Sequence, residues 1–465
     1  MGESVAAIVL AAGQGTRMKS ALPKCLHEVC GMPIVGHILL ALRGAEVVRP
    51  VVVVGKGGEE MIEALSDRGF ALEFVWQREQ LGTGHAALMA KEILSDHQGP
   101  VVIMAGDTPL VSAEALIELI KTHRESGAHC TVATVKMPDP EKYGRIIRSA
   151  SGEFDAIIEY RDADAHQRNI NEVNTGIYVV DGPTLFRILP TLKAENDQKE
   201  YYLTDIVSVL RKEGKPVATH VFTDADTFLG VNDRWQLAQA EKIMRLRIAK
   251  LHALNGVTIR DPDTTYIGVE VQIGQDATIE PGTTISGQTT IGSGSRVGPY
   301  TIVDRSTLGS RVTAFMSRIS EAEIGDDVKI GPFANIRPLS KIGNGSKIGN
   351  FVEVKKSKLG PKVAVSHLSY IGDASIGADS NIGAGTITCN YDGFQKHLTT
   401  IGAGAFVGSN STLVAPITIG DGAFVAAGSV ITEDIPADAL GIARGRQEVK
   451  EGWAQRWRNK NKVNQ

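Results

Sequence analysis

Beyond residue 260 an aliphatic residue, usually followed by a small one, recurs at every sixth position: Ile267, Ile273, Ile279, Ile285, Ile291 and Val297. The register returns at Ile324, Ile330, Ile336, Ile342 and Ile348, then at Leu359, Val365 and Ile371, at Ile376 and Ile382, and at Ile401, Val407, Leu413, Ile419, Val425 and Ile431. No α-helix has that period. A three-sided coil does, with one short strand and one turn per hexapeptide, the aliphatic residue inward at each step, and stacked coils burying a continuous apolar column. The spacing predicts a left-handed parallel β-helix over residues 257–435. The period is lost over 302–323 and 388–400. The second stretch carries Cys389, Asn390, Tyr391, Asp392 and Lys396, polar groups that a stacking coil does not need, and reads as a projecting loop with a binding role.

The first half has another texture. Short apolar runs at Ala6 to Leu10, Val51 to Val54, Leu72 to Trp76 and Val101 to Ala105 suit strands buried on both faces. Helix-forming segments lie between or after them, at Ile34 to Arg43, Glu59 to Arg68, Gly84 to Ser95 and Ala113 to Ser126. Repeated βαβ units follow, so residues 1–231 are expected to form an α/β, Rossmann-like, doubly wound and mainly parallel sheet. A helix over 232–256 is expected to link the halves, with Asn232 or Asp233 as N-cap, Leu237, Ala240, Met244, Ile248 and Leu251 on one stripe, and Asn255-Gly256 as its stop. Residues 436–465 form a tail, basic from Arg444 to Lys462, that either lies near phosphates or is solvated.

A length of 465 residues suits two domains and a linker. A net charge of -4 gives no excess of positive charge for nucleic acid. No run approaches membrane-spanning length, and the apolar stretch Val5 to Ala12 follows Glu3 and runs into Gly13 and Gly15, unlike an export signal. Cys25, Cys30, Cys130 and Cys389 have neither zinc-site spacing nor disulfide-scaffold density, which fits a reducing cytoplasm.

The strongest local motif is Leu10-Ala11-Ala12-Gly13-Gln14-Gly15-Thr16-Arg17-Met18 with Pro23-Lys24, placed where the first strand ends. Backbone N–H groups of such a turn can cradle phosphate, and the carboxyl end of a parallel strand is where these sheets bind ligands. It is neither a Walker A loop nor a dinucleotide GxGxxG, since Met18 takes the place of the third glycine. Arg17 and Lys24 are the cations that an attack between two anionic phosphates requires.

This segment resembles the signature of the sugar-1-phosphate nucleotidylyltransferases, and Gln77 to Gly84, Ala105-Gly106-Asp107, Tyr143-Gly144-Arg145, Glu159, Asn174-Thr175-Gly176 and Gly230-Val231-Asn232 follow that family's order. With the hexapeptide half included, the chain resembles over nearly its full length the bacterial bifunctional N-acetylglucosamine-1-phosphate uridylyltransferase/glucosamine-1-phosphate acetyltransferases. The resemblance implies that Leu10, Ala11, Ala12, Gly13, Gln77, Gly82 and Thr83 hold UTP, that Arg17 and Lys24 stabilise its phosphates, and that Gly144, Glu159 and Asn174 contact N-acetylglucosamine 1-phosphate. It implies Asp107 and Asn232 as Mg²⁺ ligands, and two protein oxygens completed by phosphate and water suit that ion. Ala105 departs from relatives that carry tyrosine there.

In the second half, His367 lies two places past the inward Val365, where a side chain can face outward. The resemblance makes it the base that takes the amine's proton. It assigns Arg337, Lys355, Tyr370, Asn381 and Lys396 to glucosamine 1-phosphate, and Asn390, Tyr391, Ser409, Ala427 and Arg444 to the acetyl-coenzyme A side, with Asn390 and Tyr391 bordering the reacting groups. It further implies a homotrimer associating through the β-helices. Two other readings are a single-activity pyrophosphorylase whose β-helix regulates or oligomerises, and a non-catalytic scaffold of the same folds. His367, Lys355 and Asn390-Tyr391 speak against the first, and intact Arg17, Lys24 and Asp107 against the second.

Overall fold

The computed structural model describes residues 3–140 and 142–462. The chain divides into two compact units, Met1–Arg247 and Ile248–Gln465, so the division falls inside the helix expected as a linker.

In the first unit the central sheet runs in the order Val217–Phe222, Cys130–Lys136, Glu172–Asp181, Pro100–Ala105, Ala6–Leu10, Pro50–Val54, Glu73–Trp76. The strands are parallel except Glu172–Asp181, which is antiparallel to both neighbours. Alternate residues serve opposite layers. Ala7, Val9, Val52, Val54, Val102 and Met104 belong to one core, and Ala6, Ile8, Val51, Val53, Val101 and Ile103 to the other. This is why the runs read as continuously apolar. Helices Ile34–Gly44, Gly58–Ser66 and Ala113–Ser126 lie close to the expected spans. The expected helix over 84–95 is instead two pieces, Thr83–Leu88 and Lys91–Leu94, broken at Met89-Ala90.

The later helix spans Arg234–Leu254, and Asp233 is its cap, its Oδ1 accepting from the backbone N–H of Trp235 and Gln236. Asn232, the other candidate cap, is thereby free to serve a different role. Leu251 is exposed, so the apolar stripe fades over the last turn instead of running its full length as expected.

In the second unit three parallel sheets of eleven, ten and nine strands each take every third strand of the chain, apart from the last strand of the eleven, Leu440–Gly441, as a three-sided left-handed coil requires. The inward aliphatics are buried, among them Ile279, Ile336, Val365 and Ile419, except Ile273 near the first coils, which is only half-buried. The expected loss of register over 302–323 is corrected: Val303, Leu308, Ala314, Ile319 and Ile324 continue the inward column, and shortened corners produce steps of five as well as six. Only the second stretch leaves the coil, between the inward Thr388 and the strand Thr399–Ile401. Helix Trp453–Lys462 ends the described tail and is exposed along its length. Among the described residues no helix is long and apolar enough to cross a membrane.

Candidate active sites

The first site forms where strand ends meet a glycine turn. A cavity of about 320 Å³ is lined by Ala12, Gly13, Lys24, Gln77, Gly82 and Asp107, among others, at the carboxyl ends of Ala6–Leu10 and Pro100–Ala105. The turn needs Gly15: its φ is 58°, and a Cβ there would stand 2.5 Å from the Lys24 Cβ. The same tight passage aims Lys24 inward. Its Nζ lies 2.5 Å from Asp107 Oδ2 and 3.3 Å from Asn232 Oδ1, while Arg17 donates to that Asn232 oxygen at 2.8 Å. Val231 N–H donates to the Asp107 carbonyl at 2.8 Å, which fixes Asn232 beside the carboxylate. Two cations and two hard oxygens thus converge at one mouth.

Across the cavity, Gln77 is 5% exposed and its Nε2 donates to the Gly82 carbonyl at 3.1 Å and contacts His85 Nδ1 at 3.0 Å. A carbonyl oxygen can only accept, so the carboxamide nitrogen must face it, and Oε1 is the atom left for a ligand. Gln80 donates to the Ala12 carbonyl at 2.7 Å, tying the two glycine turns together. Thr83 accepts from the backbone N–H of Leu203 and so positions this rim as well as lining it. Gly82 has φ 111°, and a Cβ there would lie 2.6 Å from the Tyr201 carbonyl.

On a further edge, Gly144 leaves room for Glu159, whose Oε2 would be 3.4 Å from a Cβ at 144. Burial, with Asp162 and Asp205 adding like charge, pushes the Glu159 carboxyl above its ordinary range. Asn174 donates to the Tyr178 hydroxyl at 2.6 Å, and its backbone N–H reaches the Gly144 carbonyl at 2.9 Å. The buried Arg145 ties the surrounding loops by donating to the carbonyls of Arg168 and Pro140. A larger cleft of about 750 Å³, bordered by Val5, Gly44 and Arg124, lies at the opposite ends of the strands and meets none of these groups.

In the second unit the candidate residues fall on one edge of the prism, on one adjoining face and, for Asn381, on the other. The edge is a column two places past successive inward aliphatics: Asn350, His367, Ala384, Ser409 and Ala427. His367 is exposed, with its Nδ1 2.5 Å from Asn350 Oδ1. Arg444 reaches the top of the column, donating to the Ala427 carbonyl at 2.7 Å. Asn381 points outward on the coil above His367, its strand pairing with Ala364.

The adjoining face carries the cations. Arg337 donates to Glu353 at 2.8 Å, Tyr370 is the register partner of Glu353, and Lys355 that of Gly372. The Lys396 amine beside it holds Lys355 below the ordinary lysine range, with partial desolvation and Arg337 adding to the effect. Three positive groups are thus gathered together. From the projecting loop, Asn390 donates to the buried Asp373 at 2.6 Å, and Asp373 also pairs with Lys356 at 3.6 Å. Tyr391 bridges to Lys396 across the loop, and His397 closes it on Asp392 at 2.7 Å. Tyr391 and Phe394 are exposed at its tip.

Sequence reasoning missed His85, Asn350, Glu353 and Asp373. Asn350 alone carried a legible signal, since it precedes His367 by one coil and holds the same place in its hexapeptide.

Comparison with known proteins agrees with both halves. Residues 7–171 match the family model of MobA-like NTP transferase domains, and residues 270–305, 321–356 and 398–433 match that of bacterial transferase hexapeptide repeats. The chain is 47% identical over 451 residues to the bifunctional protein GlmU of Streptococcus suis, covering 97% of each. It is 46% identical to that of Heliobacterium modesticaldum, covering 96% of this chain and 97% of the relative. It is also 46% identical to that of Shouchella clausii, covering 97% and 98%.

Proposed function

From a chain that belongs to the bifunctional GlmU family, with a nucleotidyltransferase half and a hexapeptide half, we propose two reactions in two separate sites. The enzyme transfers acetyl from acetyl-coenzyme A to the amine of glucosamine 1-phosphate, then uridylyl from UTP to the N-acetylglucosamine 1-phosphate formed, releasing pyrophosphate. Its product, UDP-N-acetylglucosamine, supplies cell-wall synthesis. The observation that carries the division is that Arg17, Lys24, Asp107 and Asn232 converge at one cavity while His367 and the Arg337, Lys355 and Lys396 cluster lie in the other compact unit.

For uridylyl transfer, a phosphate oxygen of the sugar ester attacks the α-phosphorus of UTP and the bond to the β-phosphate breaks. Lys24 and Arg17 offset the repulsion between the two anions, and Gln77 offers Oε1 to the imide N–H of uracil. Gly144, Glu159 and Asn174 take the sugar. Asp107 and Asn232 fit a divalent cation, because both present oxygens that already converge on an ammonium. Among the described residues no cluster of three or more His, Cys, Asp or Glu suits a metal, so phosphate and water oxygens would complete the shell, as Mg²⁺ prefers. Bound there, Mg²⁺ supplies positive charge to the phosphates.

For acetyl transfer, the amine nitrogen attacks the thioester carbonyl carbon, His367 takes the amine's proton, and the coenzyme leaves as a thiolate to which that proton can pass. The imidazole must be neutral to act, so the reaction fails as it protonates. Arg337, Lys355 and Lys396 face the phosphate dianion, with Tyr370 and Asn381 on the sugar. The column Ser409 to Ala427, capped by Arg444, takes the coenzyme, and Asn390 and Tyr391 border the thioester.

The homotrimer is supported by an apolar ridge that sits beside the His367 column. Tyr300, Met316, Phe333, Phe351 and Leu368 project from successive coils in the left-handed region, all exposed, with the rings of Phe333 and Phe351 stacked at 5.3 Å. A monomer gains nothing from such a ridge, whereas an interface does. A cytoplasmic location follows from this reading of the substrates. Purified protein given glucosamine 1-phosphate, acetyl-coenzyme A, UTP and Mg²⁺ is expected to form UDP-N-acetylglucosamine with one free thiol and one pyrophosphate per product. Failure to consume either the thioester or the triphosphate would overturn the proposal.

A further inference from the structure

His367 stands on strand Ala364–His367, and Asn350 is its register partner on the parallel strand one coil earlier, Lys347–Asn350. Both side chains leave the coil at the same corner. The backbone there is closely packed, since a Cβ on the preceding Gly349 would collide with the Ser366 carbonyl oxygen, so the two coils hold a fixed separation. Asn350 Oδ1 meets His367 Nδ1 at 2.5 Å.

A carboxamide oxygen accepts and cannot donate. The imidazole nitrogen facing it must therefore carry the proton, which leaves the lone pair of a neutral ring on Nε2, the outward atom. We propose that Asn350 is a positioning residue for acetyl transfer, selecting the Nδ1–H tautomer of His367 and aiming Nε2 at the amine. This rests on the reading of His367 as the base. Among the described residues no other side chain is hydrogen-bonded to the ring. The strand below brings one ionisable group, Lys347, at its far end; the strand above, Asn381–Ile382, brings none; and Glu353 and Tyr370 begin the next face. Among the described residues no carboxylate is hydrogen-bonded or ion-paired to the ring, so the partner that fixes its orientation is a neutral one.

The test uses full-length protein carrying Asn350→Ala, Asn350→Asp or His367→Gln. Acetyl-coenzyme A-dependent thiol release is followed across pH, and UTP-dependent pyrophosphate release reports the integrity of the rest of the chain. Asn350→Ala is expected to lower kcat for acetyl transfer about 10- to 100-fold with little change in KM for glucosamine 1-phosphate, as the loss of an orienting partner does elsewhere. Asn350→Asp, which has the same shape, sets a carboxylate against Nδ1 and favours the imidazolium. The acidic limb of its pH–rate profile is expected to move up by about one pH unit. Uridylyl transfer stays unchanged in both. Wild-type kcat in Asn350→Ala, or an unmoved limb in Asn350→Asp, overturns the inference while an inactive His367→Gln leaves the base in place. An active His367→Gln instead removes the reading beneath it.

Discussion

Replacing Lys24 with methionine keeps an apolar stem of similar length and removes the ammonium, with its charge and its N–H donors. The Lys24 side chain is 13% exposed and that of its partner Asp107 19%, so solvent screens this charge weakly. Two unit charges about 4 Å apart at an effective dielectric near 20 interact by about 4 kcal/mol. Loss of one preorganised donor from a developing charge costs about 2.7–4 kcal/mol, so the two routes agree. At about 1.4 kcal/mol per decade, Lys24→Met is expected to lower kcat/KM for uridylyl transfer roughly 10²- to 10³-fold, with Arg17 sustaining the remainder. The assay is coupled pyrophosphate release with UTP and N-acetylglucosamine 1-phosphate, run beside thiol release from acetyl-coenzyme A on the same preparation. Uridylyl transfer within threefold of wild type would refute the role of Lys24, and a parallel fall in acetyl transfer would refute the separation of the sites.

Other outcomes follow from packing and ionisation. Ile336, fully buried in the β-helix column, loses about 2–5 kcal/mol of stability on truncation to alanine, so on heating Ile336→Ala should lose acetyl transfer before uridylyl transfer; simultaneous loss contradicts this. Burial alone would raise the Glu172 carboxyl, but hydrogen bonds from Arg148 and Thr134 outweigh it and hold the group below its ordinary range. The native state therefore binds fewer protons than the unfolded one. That stability is complete above the unfolded value of about 4.3 and disappears as pH falls through the lower native value. Urea midpoints of Glu172→Gln are expected to lose this part of the acid dependence, and curves parallel to wild type would sink the assignment. Burial pushes the Cys25 and Cys130 thiols up to about 12, and both are inaccessible, so iodoacetamide at pH 8 should label the half-exposed Cys389 first in native protein. Early labelling of Cys25 by mass spectrometry would contradict the buried placement.

Periodicity was the most readable property of this chain, because both architectures repeat a simple burial rule. Inward aliphatics at hexapeptide spacing and doubly buried valine runs each follow from a face that meets no water. The steps of five at Leu308 and Ile319 were invisible to a strict period of six, since a corner can lose a residue without disturbing the column. The break at Met89-Ala90 was hidden because both halves are good helix formers. Candidate residues were legible through motif order, not through any property of single side chains. Asp107 and Asn232 converge on Lys24 from 83 and 208 residues away, and no local pattern reveals such a meeting. Asp373, buried under Asn390, escaped for the same reason.

The central claim is that one chain holds two independent sites working in sequence. Lys24→Met and His367→Gln proteins, each given glucosamine 1-phosphate, acetyl-coenzyme A, UTP and Mg²⁺, are expected to make little or no UDP-N-acetylglucosamine alone. Mixed in equal amounts they should make it readily, because the acetylated sugar phosphate leaves one protein and enters the other. A mixture as inactive as its components would contradict the account.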